Sequence, residues 1–414
     1  MMQVIRGAEE ALTLKGVVQK DGRHVIEKDL GILSKPVVVK DKKQLLFVGT
    51  EKTFDTYYKQ NKKQFKEYEK KKKLKEIHLD GGSLLPGFVE SHTHSIFAGN
   101  RQNEFELRNQ GVSYQEIAAQ GGGIAFSVKQ TRAASQDELE QTAQTRAKLF
   151  KAQGVVLLES KSGYGLEHKT EVKSLKAIHK MKLKGMSIVP TYLGLHGVPQ
   201  GKDKTEYLQE CLTKTIPYLA QNHLCQRADI FVEKNYFDTQ DLEKLVEAIR
   251  PYGWSFCVHA EQLSHSGGIH KAVELGAQSV EHCVEASEDD IKALVKSSTV
   301  ANLLPAADFY LRMKYPPARK MLDAGVKVAL ATDFNPGTSP TQSLNFVGVL
   351  SRLEMQMSRA EVLAAYTFNA ASVLGKQKRY GALIDGYSSD ILHSESSWAD
   401  LFYQVGSSDQ LNVL

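Results

Sequence analysis

Two histidines, His92 and His94, are separated by one residue in the segment PGFVESHTH. In extended chain, side chains two apart point to the same side, so both imidazoles face one place. His259 in FCVH, His282 in VEH and Asp333 in ALATD each stand at the carboxyl end of another short apolar run. Three imidazoles with one carboxylate suit a single Zn2+ or Fe ion, because borderline nitrogen donors and one hard oxygen favour those metals over Ca2+ or Mg2+. The expected ligands are therefore His92, His94, His259 and Asp333, holding one Zn2+ or Fe3+ per chain. Such an ion lowers the pKa of water towards about 7 and supplies a nucleophile without a serine or cysteine. Asp333 is the expected catalytic base and acid, taking the proton of the attacking water and handing it to a leaving nitrogen. His282 is the second catalytic candidate, placed to hold that water, polarise a carbonyl or orient a ligand.

The elements that must position these residues follow from the pattern around them. Apolar runs at 84–90, 155–159, 188–193, 229–233, 255–259, 278–282, 299–303 and 327–332 alternate with amphipathic stretches such as 136–151, 169–182, 239–252 and 268–275. Eight short buried strands, each followed by a helix, predict an α/β fold of the (β/α)8 TIM-barrel type, whose strand ends converge on one mouth. The candidate residues sit at those ends. Before the barrel, the pieces Val17-Val18, 24–26, 36–39 and 45–48 read as short strands, and after it 382–384, 390–392 and 401–403 do so again. Both chain ends are thus expected to build one small β-sandwich-like domain (1–82 and 376–414) beside a barrel of 83–375.

Composition excludes several classes. With 414 residues, 42% hydrophobic and 24% charged, the chain is neither disordered nor fibrous. No apolar run approaches the about 18 residues of a membrane span, and the start lacks a signal-type apolar stretch, so a cytoplasmic protein with no membrane partner is expected. Cys211, Cys225, Cys257 and Cys283 lack metal-knuckle spacing and are expected to be reduced and mostly buried. The net charge of +5 comes from residues 59–75, where nine lysines face Glu67 and Glu69, leaving the remainder at −2. This run is expected to be a solvated helix or hairpin insertion pinned by Phe65 and Tyr68 rather than a nucleic-acid surface. The glycines 121–123 lack the spacing of a phosphate cradle, so no nucleotide cofactor is expected.

The set PGFVESHTH, VHAEQL, His282 and ATDFNPGTSP resembles the amidohydrolase superfamily, and the segments 96–124, ESKSGYGL (159–166), TYLGLHGVP (191–199), HAEQLSHSGG (259–268) and 331–340 are similar to the imidazolonepropionases within it. The resemblance implies hydrolysis of the cyclic amide of 4-imidazolone-5-propanoate to N-formimidoyl-L-glutamate in histidine degradation, by a metal-dependent homodimer. It places metal ligands on His92, His94, His259 and Asp333, and substrate contacts on Arg101, Tyr164, His196, Gln262, Asn335, Gly337 and Thr338. Tyr114 joins Tyr164 as a hydroxyl donor, Arg101 suits the propanoate carboxylate, and His196 is expected to meet the ring carbonyl as it becomes an oxyanion. Gln262 departs from relatives with glutamate three residues after the strand-five histidine; an amide does not protonate a ring nitrogen, which argues against a deaminase. An amidohydrolase acting on another cyclic amide is the alternative; its two-metal forms need a carboxylated lysine, and the nearest candidate, Lys161, reads as solvated or structural.

Overall fold

The computed structural model describes residues 1–112, 116–117, 121–405 and 411–414. Eight parallel strands follow one another around a barrel in chain order: β1 (Phe88–Glu90), β2 (Val155–Lys161), β3 (Ser187–Leu195), β4 (Arg227–Val232), β5 (Ser255–Ala260), β6 (Ser279–His282), β7 (Val300–Leu303) and β8 (Val328–Leu330). Every neighbouring pair from β1 to β8 is in parallel register. The seam between β8 and β1 is bridged just beyond the strand ends, where Thr93 pairs with Phe334 and the His94 N–H donates to the Phe334 carbonyl at 2.9 Å. The (β/α)8 expectation holds.

Helices pack on the outside as their patterning requires. Gln136–Ala152 begins with a reciprocal cap, in which the Ser135 hydroxyl accepts from the Glu138 N–H and the Glu138 carboxylate accepts from the Ser135 N–H. The side chains of Leu139, Ala143, Ala147 and Phe150, at helical spacing, are its buried face. His168–Lys180, Thr239–Ile249 and Gly268–Leu275 pack against the barrel in the same way.

Residues from the two chain ends share a five-stranded sheet of Glu10–Leu12, Ile32–Ser34, Ser83–Pro86, Ile391–Ser394 and Leu411–Val413. A four-stranded sheet joins Met2–Arg6, Pro36–Lys40, Leu45–Thr50 and Leu74–His78. We propose these sheets as the small domain of 1–82 and 376–414, extended by the strand at 83–86 of the five-stranded sheet.

Several expected pieces take another form. The run 84–90 is two strands, not one: Ser83–Pro86 pairs with Ile391–Ser394, and the barrel strand starts after Gly87, where a Cβ would stand 2.4 Å from Val156. Val17-Val18 lies in a helix, Lys15–Gln19, since Gly16 packs directly on Asp29 with no room for a side chain. Residues 24–26 form no strand, and 382–384 form no ladder: the Leu383 N–H donates to the Thr13 carbonyl and the Ile384 carbonyl accepts from the Tyr387 N–H in a turn. Residues 401–403 form a turn because Phe402 is needed under the barrel, where its ring stacks on Tyr366 at 5.4 Å.

The lysine run is the end of the helix Glu51–Lys70 and the strand Leu74–His78. All nine lysines are exposed, while Phe65 is buried against Phe54 and Tyr58, its ring 5.0 Å from that of Tyr58, with Tyr68 half-buried beside them. Phe65 and Phe54 thus anchor a helix whose like charges at i, i+4 otherwise oppose it. Phe65→Ala should cost about 3–5 kcal/mol of local stability in urea melts and leave turnover near the parent level; an unchanged melt would contradict this anchoring.

Candidate active site

Past β1 the chain stays extended, so His92 and His94 both turn inward and are almost fully buried. His259, next to last in β5, lies in register between Phe231 of β4 and Glu281 of β6. Asp333 follows β8 by three residues. Asp333 (φ 51°) and His282 (φ 72°) both adopt left-handed backbone, uncommon for residues other than glycine and concentrated at functional sites. In β6 the alternation that sends Ser279 and Glu281 into the barrel would send His282 out. The left-handed turn brings its ring back to the mouth, 5.3 Å from the His259 ring.

One nitrogen from each of His92, His94 and His259 lies within 4.8 Å of the others. Asp333 Oδ1 is 3.5 Å from His92 Nε2 and 3.3 Å from His94 Nε2. His92 Nε2, His259 Nε2 and Asp333 Oδ1 are buried with no hydrogen-bond partner among the described residues. Buried polar atoms are almost always satisfied, so a convergence of orphaned donors fits a bound cation, and the three-imidazole, one-carboxylate set is the chemistry of a Zn or Fe site. The outer nitrogens are held from behind. His92 Nδ1 lies 2.8 Å from Glu281 Oε2, and His259 Nδ1 lies 3.1 Å from the Asp229 carboxylate. Each Nδ1–H therefore donates outward and leaves an Nε2 lone pair facing the centre.

Charge follows this geometry. Burial holds His92 and His94 well below the ordinary histidine value, so both imidazoles are neutral, as binding a cation requires. Burial opposes ionisation of Asp333, but the imidazoles facing it, His92 foremost, then His282 and His259, outweigh it and keep the carboxyl below its usual range. Asp229 is buried too, yet His259 and Lys161 hold it far below that range. Lys161 is not solvated: it ends β2 with no exposed surface, its Nζ 2.8 Å from Glu159 and 2.9 Å from Asp229. Alternation along β2 carries Glu159 and Lys161 inward together, which removes any solvent route. Asp229, Glu281 and Lys161 were not singled out as site residues by patterning, although a charged residue inside an otherwise apolar barrel strand is the signal that marks them.

Above the centre lies a cavity of about 300 Å3. Arg101, Tyr164, His196, Gln262, Asn335 and Thr338 line it together with His94, His259, His282 and Asp333. Tyr114 lies outside the described residues. Gly337 stands in an adjoining cleft, pressed against Arg101: a Cβ there would be 1.9 Å from the guanidinium Nη1. Arg101 is also held by Glu104, 2.7 Å from its Nε. Asn335 shapes the loop, accepting from the N–H groups of Gly337 (2.9 Å) and Thr338 (2.7 Å) and donating to the Asp333 carbonyl (2.7 Å). His196 Nδ1 is 3.1 Å from the Gly163 carbonyl, which only accepts, so the proton is on Nδ1. Burial lowers the His196 pKa to about 4, so its Nε2 is an acceptor at neutral pH. With the proton on Nδ1 we propose His196 as an acceptor towards substrate in place of the oxyanion donor expected of it.

The same architecture recurs in proteins of known structure. A triazine hydrolase variant superposes with a TM-score of 0.72 at 15% identity over 100% of this chain and 93% of that one. An adenosine deaminase from Xanthomonas campestris with bound zinc gives 0.69 at 12% identity, covering 99% of this chain and 90% of that one. At these identities the likeness is one of fold. In sequence, the family described as Amidohydrolase family matches residues 124–403. The imidazolonepropionase of Bdellovibrio bacteriovorus is 46% identical over 98% of this chain and 94% of its own. The chain belongs to the imidazolonepropionases. That of Rubrobacter xylanophilus is 40% identical over 79% of each chain.

This imidazolonepropionase-family site has one buried acid with no visible role in it. Asp308, in the helix Pro305–Leu311 after β7, is 1% exposed, and neither carboxylate oxygen has a hydrogen-bond partner among the described residues. Burial and the Asp333 charge push its pKa to about 8, so it is neutral at pH 7. Because the folded value exceeds the unfolded one, near 3.9, native stability falls as pH rises between about 4 and 8. Asp308→Asn should therefore gain thermal stability over the parent as pH rises across that window. A stability difference independent of pH in melts at pH 4, 6 and 8 would contradict a buried neutral acid.

Proposed function

We propose that this chain hydrolyses the cyclic amide of 4-imidazolone-5-propanoate to N-formimidoyl-L-glutamate, the ring-opening step of histidine degradation. The reading is carried by identity of 46% along 98% of the chain with an imidazolonepropionase. The cavity supports it, with one buried guanidinium above a three-histidine, one-aspartate centre. Zn2+ or Fe3+ held by His92, His94, His259 and Asp333 supplies Lewis acidity at the ring carbonyl and lowers the pKa of water.

The chain's own groups divide the remaining work. Arg101, seated over Gly337, takes the propanoate carboxylate through a two-point contact that an ammonium cannot match. Tyr164 adds a hydroxyl beside it, and Tyr114 is assigned the same part. The Gln262 amide pairs with ring N–H and carbonyl groups, while His196 Nε2 accepts a ring N–H and so fixes which way the ring lies. Asn335 and Thr338 hold the loop that carries Asp333 and Gly337. Asp333 accepts a proton from water as its oxygen bonds to the carbonyl carbon, then delivers that proton to the ring nitrogen as the C–N bond breaks. His282 polarises the carbonyl. The alternative of another cyclic amide handled by a two-metal site is weakened by Lys161, whose ammonium is engaged by Glu159 and Asp229.

No helix among the described residues is long and apolar enough to cross a membrane. The reading carries a cytoplasmic homodimer with it, as the family implies. Exposed Phe105 and Phe309, in ring contact with Tyr310, offer an apolar surface for such a partner.

Asp333→Asn should keep much of the metal and lose about 10²–10⁴-fold in kcat, the usual contribution of a proton-transfer group; near-parental kcat would remove Asp333 from the chemistry. Gly337→Ala should displace Arg101 and raise KM for 4-imidazolone-5-propanoate about tenfold with kcat nearly unchanged. An unaltered KM would assign the propanoate to another residue.

A further inference from the structure

The mouth of the barrel explains the cavity and the metal donors, but beneath them the interior holds a layer of charge that the reaction does not touch. Glu159 and Lys161 of β2, Arg227 and Asp229 of β4 and Glu281 of β6 are all buried at this level. Moving an ion out of water costs several kcal/mol even after relaxation, and replacing such groups with apolar residues of similar volume is often neutral or stabilising. Their presence calls for a purpose other than stability.

The contacts form a chain that ends on the metal donors. Lys161 Nζ lies 2.8 Å from Glu159 Oε1 and 2.9 Å from Asp229 Oδ2, with Cys257 Sγ at 3.6 Å. Glu159 is itself anchored by the Thr191 hydroxyl at 2.6 Å and by Arg227 at 3.3 Å. Asp229 then meets His259 Nδ1 at 3.1 Å, and its Oδ1 also accepts from the Ile230 N–H at 2.8 Å. His92 is backed separately, by Glu281, which also accepts from Asn302 at 2.7 Å. A carboxylate has two oxygens and one free torsion, so a contact to one oxygen sets how the other faces its partner. Lys161 pairs with Oδ2, and His259 Nδ1 lies 3.1 Å from both Asp229 oxygens, so the ion pair bears directly on the carboxylate that orients the ring.

We propose that Lys161 is a positioning residue for the metal centre, holding the Asp229 carboxylate in the orientation that aims the His259 ring at the ion. Lys161 touches neither substrate nor metal, and it acts only through Asp229. The inference rests on His259 being a metal ligand.

The test is Zn2+ affinity of the metal-free protein, measured by chelator competition, with the visible spectrum of the Co2+-loaded protein as a report on donor geometry. Lys161→Met should weaken Zn2+ binding about 10- to 100-fold, the usual effect of losing a group behind a ligand, and shift the Co2+ bands. At saturating metal it should leave KM near the parent value. Asp229→Asn should do the same, and adding Lys161→Met to it should cost little further affinity, since both act along one path. Parental affinity in a folded Lys161→Met variant, or losses that add fully in the double variant, would overturn the proposal. Should Lys161→Met not fold, parental Zn2+ affinity in Asp229→Asn overturns it equally, because no other route to His259 is claimed. His92→Ala in the same assay separates the two levels: it must abolish tight Zn2+ binding, and if it does not, the metal reading itself fails rather than the part assigned to Lys161.

Discussion

The three imidazoles and one carboxylate proposed to hold the ion must present lone pairs to one point, inside protein, with nothing of the protein's own to satisfy them. That constraint governs the rest of the molecule. Unpartnered buried polar atoms are costly, so the convergence persists only if the rings cannot rotate to find other partners. Glu281 and Asp229 prevent that by taking the outer N–H of His92 and His259. Those carboxylates need buried counter-charge: Lys161 pairs with Asp229, and Lys161 and Arg227 act on Glu281 through space. The barrel is what makes such stacking possible: inward positions on neighbouring strands lie level with one another, as Phe231, His259 and Glu281 do.

Around this floor, the groups proposed to meet substrate come from the loops, as is usual for barrels of this type. The loop after β8 joins the two layers. Asp333 belongs to the floor, Gly337 and Thr338 to the wall, and Asn335 ties them with bonds to both. The bare backbone of Gly337 lets the Arg101 guanidinium lie flat against it. In the proposed function, substrate carboxylate and reacting carbonyl are thereby referred to one short segment, a means of setting the distance between them without a long, flexible frame.

Much of this was readable in the order of residues. The eight apolar runs became the eight barrel strands because parallel strands covered on both faces carry unbroken apolar stretches. His92, His94, His259, His282 and Asp333 converge because strand ends of a barrel share one rim. What escaped was decided by tertiary contact. Gly87 divides a continuous apolar run between two sheets, and nothing in composition distinguishes its halves. Val17-Val18 has β-branched propensity and is nevertheless helical, since Gly16 must touch Asp29. Residues 401–403 look like a strand and serve as a plug, with Phe402 against Tyr366. Of the two readings left open for Lys161, solvated or structural, the facing carboxylates of β2 and β4 decide for the second. The His196 tautomer depends on one carbonyl, that of Gly163, which no spacing rule locates.

The chemistry proposed for this barrel needs one ion and one ring. The most direct measurement loads metal-free protein with increasing Zn2+ or Fe and, on the same samples, follows loss of the ultraviolet band of 4-imidazolone-5-propanoate. Turnover rising in proportion to occupancy and reaching a plateau at about one ion per chain is the result predicted here. Full occupancy without turnover of this compound, or turnover independent of metal, would contradict it.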